Sequence, residues 1–225
     1  WLFSNSDFHN EDGADFYPGE FQKNYTYVEG TPDAQKIADA MRSGNNWVVM
    51  GDLIDDLAFF AGSKLMGATE EITSGSDLTI YIKVHDPATL NHRSQNPELN
   101  HIDLIAGEVT GLIPVGDTRY NKDSVSTTTI MARFDAKGNI SSPNGIVSTQ
   151  WKDLGNGWKE IAYTIKNVSK NMYFRLRGTN LGLNEANQTD ANGNPLPDNL
   201  LYPNNADKAF ADLWFYSNPV FVKVK

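Results

Sequence analysis

The stretch Leu78-Thr79-Ile80-Tyr81-Ile82-Lys83-Val84 decides the fold class of this chain. Every second residue is aliphatic, which is typical of a strand with one buried face. Similar runs lie at 57–60, 101–106, 127–134, 158–165, 172–177 and 220–224. Turn residues rich in Gly and Asn separate them, at 136–139, 154–157 and 166–171. The pattern predicts an antiparallel β-sandwich over residues 53–225, with an elaborated surface loop at 181–207.

The one clear helix signal precedes this region. Thr31 is a good N-cap residue, Pro32 suits the first helical position, and Asp33 suits the positive end of the helix dipole. Apolar residues follow at helical spacing, and Gly44 stands where a left-handed C-terminal cap belongs. We therefore predict a helix that ends just before Gly44.

Residues 1–52 have the order of an α/β unit. An apolar opening strand leads into a polar and aromatic stretch at 10–30, which we interpret as a long ordered loop. The helix and a short strand at 46–50 follow. One helix and two strands bury too little surface to fold alone. The expected fold class is thus mixed: a small α/β segment over 1–52, then the sandwich over 53–225.

The composition excludes several classes of function. The net charge of −9, without any basic stripe, argues against a nucleic-acid partner. The mean hydropathy of −0.46, with no apolar run of about 20 residues, argues against a membrane-spanning helix. The absence of cysteine excludes disulfides and thiolate metal sites. Richness in Asn, Asp, Gly and Thr with low Lys is typical of a secreted or periplasmic bacterial protein.

The opening strand carries a candidate metal site. Asp7 and His9 are two residues apart, so in an extended segment their side chains point to the same side. A carboxylate and an imidazole are ligands of zinc, manganese or iron. Such ions need three or four protein ligands, so the others must come from elsewhere. The alternative is that His9 only hydrogen-bonds Asp7 or a backbone carbonyl.

Four patches of this sequence resemble a known family. Ser6-Asp7-Phe8-His9 resembles the closing metal-ligand motif, S-D-x-H, of the PHP superfamily of polymerase and histidinol phosphatase-like metallohydrolases. Residues 38–51 look like the helix and strand that close those domains. Residues 213–220 are similar to the W-x-Y-S-N-P-I phrase that ends the β-rich domain of the CehA/McbA-like branch. Residues 173–178 resemble a phrase shortly before it.

The resemblance implies a metal-dependent hydrolase, and a phosphoesterase in particular, with a small-molecule phosphoester as substrate. Only Asp7 and His9 carry over as ligands, because the family's H-x-H motif, middle acids and further histidines are missing from this sequence. We therefore expect residues 1–52 to close a barrel whose N-terminal part is the missing partner, either as upstream sequence or as a separate associated chain. The isolated chain is expected to be inactive.

Two further groups of residues are candidates for binding. Tyr17 and Glu20 follow the end of the presumed catalytic strand, where barrel loops contact substrate, or they are ordinary loop residues. Oxygen side chains alternate in a second loop and predict either a calcium site or a plain Asn/Gly/Pro turn: Asp190, Asn192, Asn194 and Asp198.

The remaining features have simpler interpretations. The spacing of His85, His92 and His101 suggests no shared metal, and we interpret them as surface or partly buried residues. A second hypothesis makes the sandwich a glycan- or surface-binding module without catalysis, with Trp151 or Tyr202 as ligand platforms.

Overall fold

The computed structural model describes residues 1–6, 8, 16–197 and 206–225. Asp7, His9, Asp198 and Tyr202 lie outside them. In chain order the elements are β1 (Gln22–Thr26), α1 (Ala34–Ser43), β2 (Asn46–Met50), β3 (Asp56–Ala61), β4 (Lys64–Leu65), β5 (Thr69–Ile72), β6 (Ser76–His85), β7 (His101–Glu108), β8 (Thr129–Asp135), β9 (Thr149–Gln150), β10 (Lys152–Gly155), β11 (Trp158–Val168), β12 (Met172–Thr179), α2 (Ala206–Ala209), β13 (Trp214–Ser217) and β14 (Val220–Val224).

The strands form two sheets. The larger has the order β1-β2-β13-β12-β7-β8-β9, with β14 beside β12 and β5 beside β14. The smaller has the order β10-β11-β6-β3-β4. Every pair is antiparallel except β5 with β14 and β8 with β9, which are parallel. The β-sandwich prediction is confirmed, and its sheets are mixed rather than purely antiparallel.

The core lies between the two sheets. Along β6, Leu78, Ile80, Ile82 and Val84 are buried while the residues between them are more exposed, as the alternation predicts. They belong to one buried cluster with Ile102, Leu104, Phe174 and Leu176 of the opposite sheet. Burying each such side chain stabilises the fold by about 1.5–3 kcal/mol.

The N-terminal part differs from its prediction in two ways. Residues 1–6 form no strand, and Trp1, Leu2 and Phe3 are exposed, so the expected buried opening strand is wrong for this described part. Strand β1 lies inside the stretch that we interpreted as loop. Its polar sequence, Gln-Lys-Asn-Tyr-Thr, has no apolar alternation because it is an edge strand with partly exposed faces.

Helix α1 is confirmed, with a shifted start. Asp33 rather than Thr31 is the N-cap, because its Oδ1 accepts a hydrogen bond from the Lys36 amide at 2.8 Å. Gly44 ends the helix at φ 80°, as predicted. The Trp1 ring lies so close to Gly44 that an added Cβ would be 2.6 Å from it.

One sheet joins the two predicted segments. Strand β2, from residues 1–52, pairs with β13, from residues 53–225, and Val49 lies opposite Phe215. The first segment therefore contains an antiparallel pair of strands, β1 and β2, and helix α1 connects them. The division at residue 52, as a boundary between a barrel piece and a sandwich, stays a prediction.

Candidate functional site

The segment that carries the predicted metal ligands is anchored just before them. The Ser4 amide donates to Asn24 Oδ1 at 2.8 Å, and Asn24 Nδ2 donates to the Ser4 carbonyl at 2.9 Å. The Leu2 amide donates to Asn218 Oδ1 at 2.7 Å. The segment thus runs beside β1 and is held by side chains rather than by strand pairing.

A groove of about 460 Å³ lies between this segment and β1. Ser4, Ser6 and Gln22 are among its lining residues. Lys23 also lines it, and its Nζ lies 2.6 Å from Asp52 Oδ1, which balances its charge. Ser6 immediately precedes Asp7 in the chain, and Asp7 and His9 themselves lie outside the described residues.

The two predicted substrate-binding residues are already engaged. Tyr17 stacks on Phe8, with 4.9 Å between the ring centroids. Glu20 accepts a hydrogen bond from the Tyr17 amide at 3.0 Å, and its other oxygen lies 3.1 Å from His92 Nε2. These contacts hold Tyr17 and Glu20 in place. A direct role of Tyr17 or Glu20 on substrate stays a prediction.

The described residues offer no group of three or more His, Asp or Glu side chains that converges as a metal site. The carboxylate and imidazole of Asp7 and His9 remain a chemically suitable pair for a divalent transition metal. Any ligands that complete the pair were expected outside this sequence.

Helix α1 and strand β1 present an open surface beside residues 1–6. No residue of α1 is buried, and its apolar residues Ile37 and Met41 are 44% and 41% exposed. Within the described part of the chain, β1 pairs with β2 alone, so its other edge carries no strand. A helix with an exposed apolar stripe next to an unpaired strand edge is typical of a surface that another element covers.

The predicted calcium loop is built around hydrogen bonds. Asp190 accepts from the amides of Asn192 and Asn194, each at 2.8 Å. Asn194 Oδ1 accepts from Arg177 Nη2 at 2.9 Å, and the Asn192 carbonyl accepts from Arg133 Nη2 at 2.8 Å. Two guanidinium groups therefore contact oxygens of this loop. Calcium binding stays a prediction, and its fourth residue, Asp198, lies outside the described residues.

Those arginines belong to a buried ionic network that the sequence pattern does not predict. Asp103 on β7 lies between Arg133 on β8 and Arg177 on β12. Arg133 Nε donates to Asp103 Oδ1 at 2.7 Å, and Arg177 Nη2 donates to Asp103 Oδ2 at 2.9 Å. All three are buried. The only sequence signal was a charged residue inside each of three predicted strands.

Two histidines have shifted pKa values for different reasons. Burial, together with the charges of Arg133 and Arg177, lowers the pKa of His101 to about 4 against the opposing effect of Asp103. Burial alone would lower the pKa of His85 as well. Its ring contacts Asp55 Oδ1 at 2.5 Å and the Asn156 carbonyl at 2.9 Å, and these acceptors raise its pKa overall. His101 is thus a buried neutral residue, and His85 is partly buried.

The proposed glycan platform Trp151 is buried, so it cannot present its ring to a ligand, and this part of the second hypothesis is wrong.

No family model matches the chain, and no curated protein or solved structure is significantly similar to it. None of the helices in the described ranges has the length and apolar character that crossing a bilayer requires.

Proposed function

We propose that this chain is the C-terminal portion of a metal-dependent hydrolase of the PHP type, and that the hydrolase is a phosphoesterase. The observation that carries the proposal is the open surface that α1 and the outer edge of β1 form among the described residues. The partner of this surface is the remainder of the barrel.

The chemistry of that surface supports such a partner. The stripe of Ile37 and Met41 would be buried by a neighbouring helix or strand, which stabilises an interface by about 25 cal/mol per Å² of apolar area. Among the described residues the outer edge of β1 is unpaired, so it offers backbone groups to one further strand. A barrel that continues from β1 would satisfy both requirements at once.

A bound divalent metal would supply an activated water and would neutralise charge on a phosphoryl oxygen. This chain would contribute Asp7 and His9 as two of the ligands. Ser6 and Lys23 line the groove, and their hydroxyl and ammonium groups are hydrogen-bond donors for a phosphoester. Because Lys23 is paired with Asp52, it would act by hydrogen bonding more than by net charge.

The test uses the complete protein with its barrel. The variants His9→Ala and Asp7→Asn should each lose most hydrolysis of a phosphoester substrate with manganese or zinc, and both should lose bound metal by elemental analysis. Asp123→Asn, on the exposed β7–β8 loop, is the matched control and should retain both. Full activity and full metal content in His9→Ala would refute the proposal.

The composition also supports a secreted or periplasmic location for the parent protein. Fractionation of the producing cell tests this, and recovery of the protein only with cytoplasmic markers would contradict it.

A further inference from the structure

A second cleft lies beside the first groove. It opens between the β1–β2 pair and strand β3, and its volume is about 520 Å³. Four aromatic residues, Tyr25, Tyr27, Trp47 and Phe60, are in its lining, together with Leu65 and Met66. Of these residues only Tyr25 also lines the first groove.

The aromatic wall of this cleft is preformed. Tyr25 stacks on Trp47 with 4.1 Å between the ring centroids and an interplanar angle of 4°. Trp47 is buried and belongs to the sandwich core, so it holds the Tyr25 ring in place. Tyr27 lies two residues further along, also lines the cleft, and is 64% exposed. The Tyr25 ring is therefore held in place by Trp47, and the Tyr27 ring is accessible to a ligand.

The rim of the cleft is acidic. Asp55 and Asp56 are both exposed and line the cleft, and Asp55 also contacts the ring of His85. The lining contains no lysine or arginine among the described residues. Burial raises the pKa of Tyr25, and the charges of Asp52, Asp55 and Asp56 raise it further. An anion such as a phosphoester would be repelled here.

We propose that this cleft binds an organic ammonium ion, with the cationic group against the faces of Tyr25 and Tyr27 and beside the carboxylate of Asp56. A cation over an aromatic ring gains about 0.5–2 kcal/mol, and a nearby carboxylate adds Coulomb attraction. The apolar residues Phe60 and Leu65 accommodate the alkyl groups of such a ligand. The site is independent of the proposed hydrolase chemistry, since it needs no metal and selects the opposite charge.

The experiment uses choline as the probe on the 225-residue chain and records ¹H–¹⁵N spectra during a titration. Choline should shift amide signals of the cleft at 25–27, 45–47 and 55–58. The neutral isostere 3,3-dimethyl-1-butanol, which has the same shape without the charge, should bind at least about fivefold more weakly. Binding should also weaken as the salt concentration rises.

Two variants and a control locate the site. Asp56→Asn should weaken choline binding about three- to tenfold, and Tyr27→Leu about two- to fivefold, without changing the spectrum elsewhere. Asp123→Asn removes one negative charge on the β7–β8 loop and should leave the affinity unchanged. The proposal is overturned if choline causes no shifts at millimolar concentration, if the neutral isostere binds equally well, or if Asp56→Asn and Asp123→Asn behave alike.

Discussion

Asp103 has two positive partners in a place that water does not reach. Its carboxylate, Arg133 and most of Arg177 are buried, so the cost of dehydrating three charges is met only by their mutual attraction and hydrogen bonds. Both carboxylate oxygens are used. The pairs therefore add little net stability when intact, yet losing Asp103 would leave two buried cations without their counter-charge.

Asp103→Asn should destabilise the chain by about 3–5 kcal/mol, because it leaves uncompensated buried charge. Urea unfolding followed by fluorescence measures this. The matched control is Asp77→Asn, which breaks the exposed pair with Lys166 and should cost under about 1 kcal/mol. An equal decrease in the free energy of unfolding for the two substitutions would show that the buried network contributes no more to stability than an exposed ion pair.

His85 and His101 should have opposite effects on acid stability. The folded pKa of His85 lies above its unfolded value, so its stabilisation is fully present below about pH 6.5 and is lost as the pH rises through the folded pKa. The folded pKa of His101 is about 4, below its unfolded value of about 6.5. As the pH falls below about 6.5, the unfolded chain binds a proton that the folded chain does not, and this lowers the free energy of unfolding. The wild-type pH profile therefore combines both effects.

Replacing His85 measures its own contribution to the pH dependence of stability. His85→Gln should cost more free energy of unfolding at about pH 5.5 than at about pH 8, as measured by urea unfolding at each pH. In an Asp55→Asn background this pH dependence should shrink, because Asp55 is the main group that raises the pKa of His85. An identical cost of His85→Gln at both pH values would contradict the assigned direction.

At the scale of elements, the sequence predicts the strands that have one buried face. β6 and β14 follow from alternating or continuous apolar runs, because burial of that face dictates the residue type. β1 could not be predicted, since an edge strand with polar residues is specified by its pairing with β2 rather than by its own pattern. The N-cap was misplaced because Thr31 and Asp33 are both good caps, and only the backbone geometry decides between them.

The site was predicted as far as local spacing permits. Asp7 and His9 are close in sequence, so one motif is enough to propose them. The network of Asp103, Arg133 and Arg177 joins three strands that are distant in sequence, and it becomes visible only when their registers are known. The aromatic cleft likewise depends on the way the β1–β2 pair lies over β3.

The exposed face of α1 allows a prediction about that element. In the 225-residue chain, the double variant Ile37→Gln, Met41→Gln should change the free energy of unfolding by no more than about 1 kcal/mol, since neither side chain is buried. In the complete protein the same variant should lower the thermal midpoint clearly, because the face would be covered. Thermal unfolding of both proteins measures this, and an unchanged midpoint in the complete protein would argue against α1 as a docking surface.

At the scale of the whole molecule, residues 1–52 are integrated into the sandwich. Phe21, Trp47 and Val49 belong to the same buried cluster as Phe59 and Phe215. β2 is flanked by β1 on one side and β13 on the other. A segment with so much shared core cannot unfold without exposing the interior of the remainder, so the chain should behave as one cooperative unit.

Calorimetry of Val49→Ala tests this cooperativity. Val49 is fully buried, so its truncation should cost about 2 kcal/mol and move a single unfolding transition to lower temperature. The control Val125→Ala removes the same atoms from a side chain that is 62% exposed and should change stability by under about 0.5 kcal/mol. If the chain instead unfolds in two transitions, and Val49→Ala shifts only one of them, then residues 1–52 form a separate folding unit and the shared sheet does not couple them.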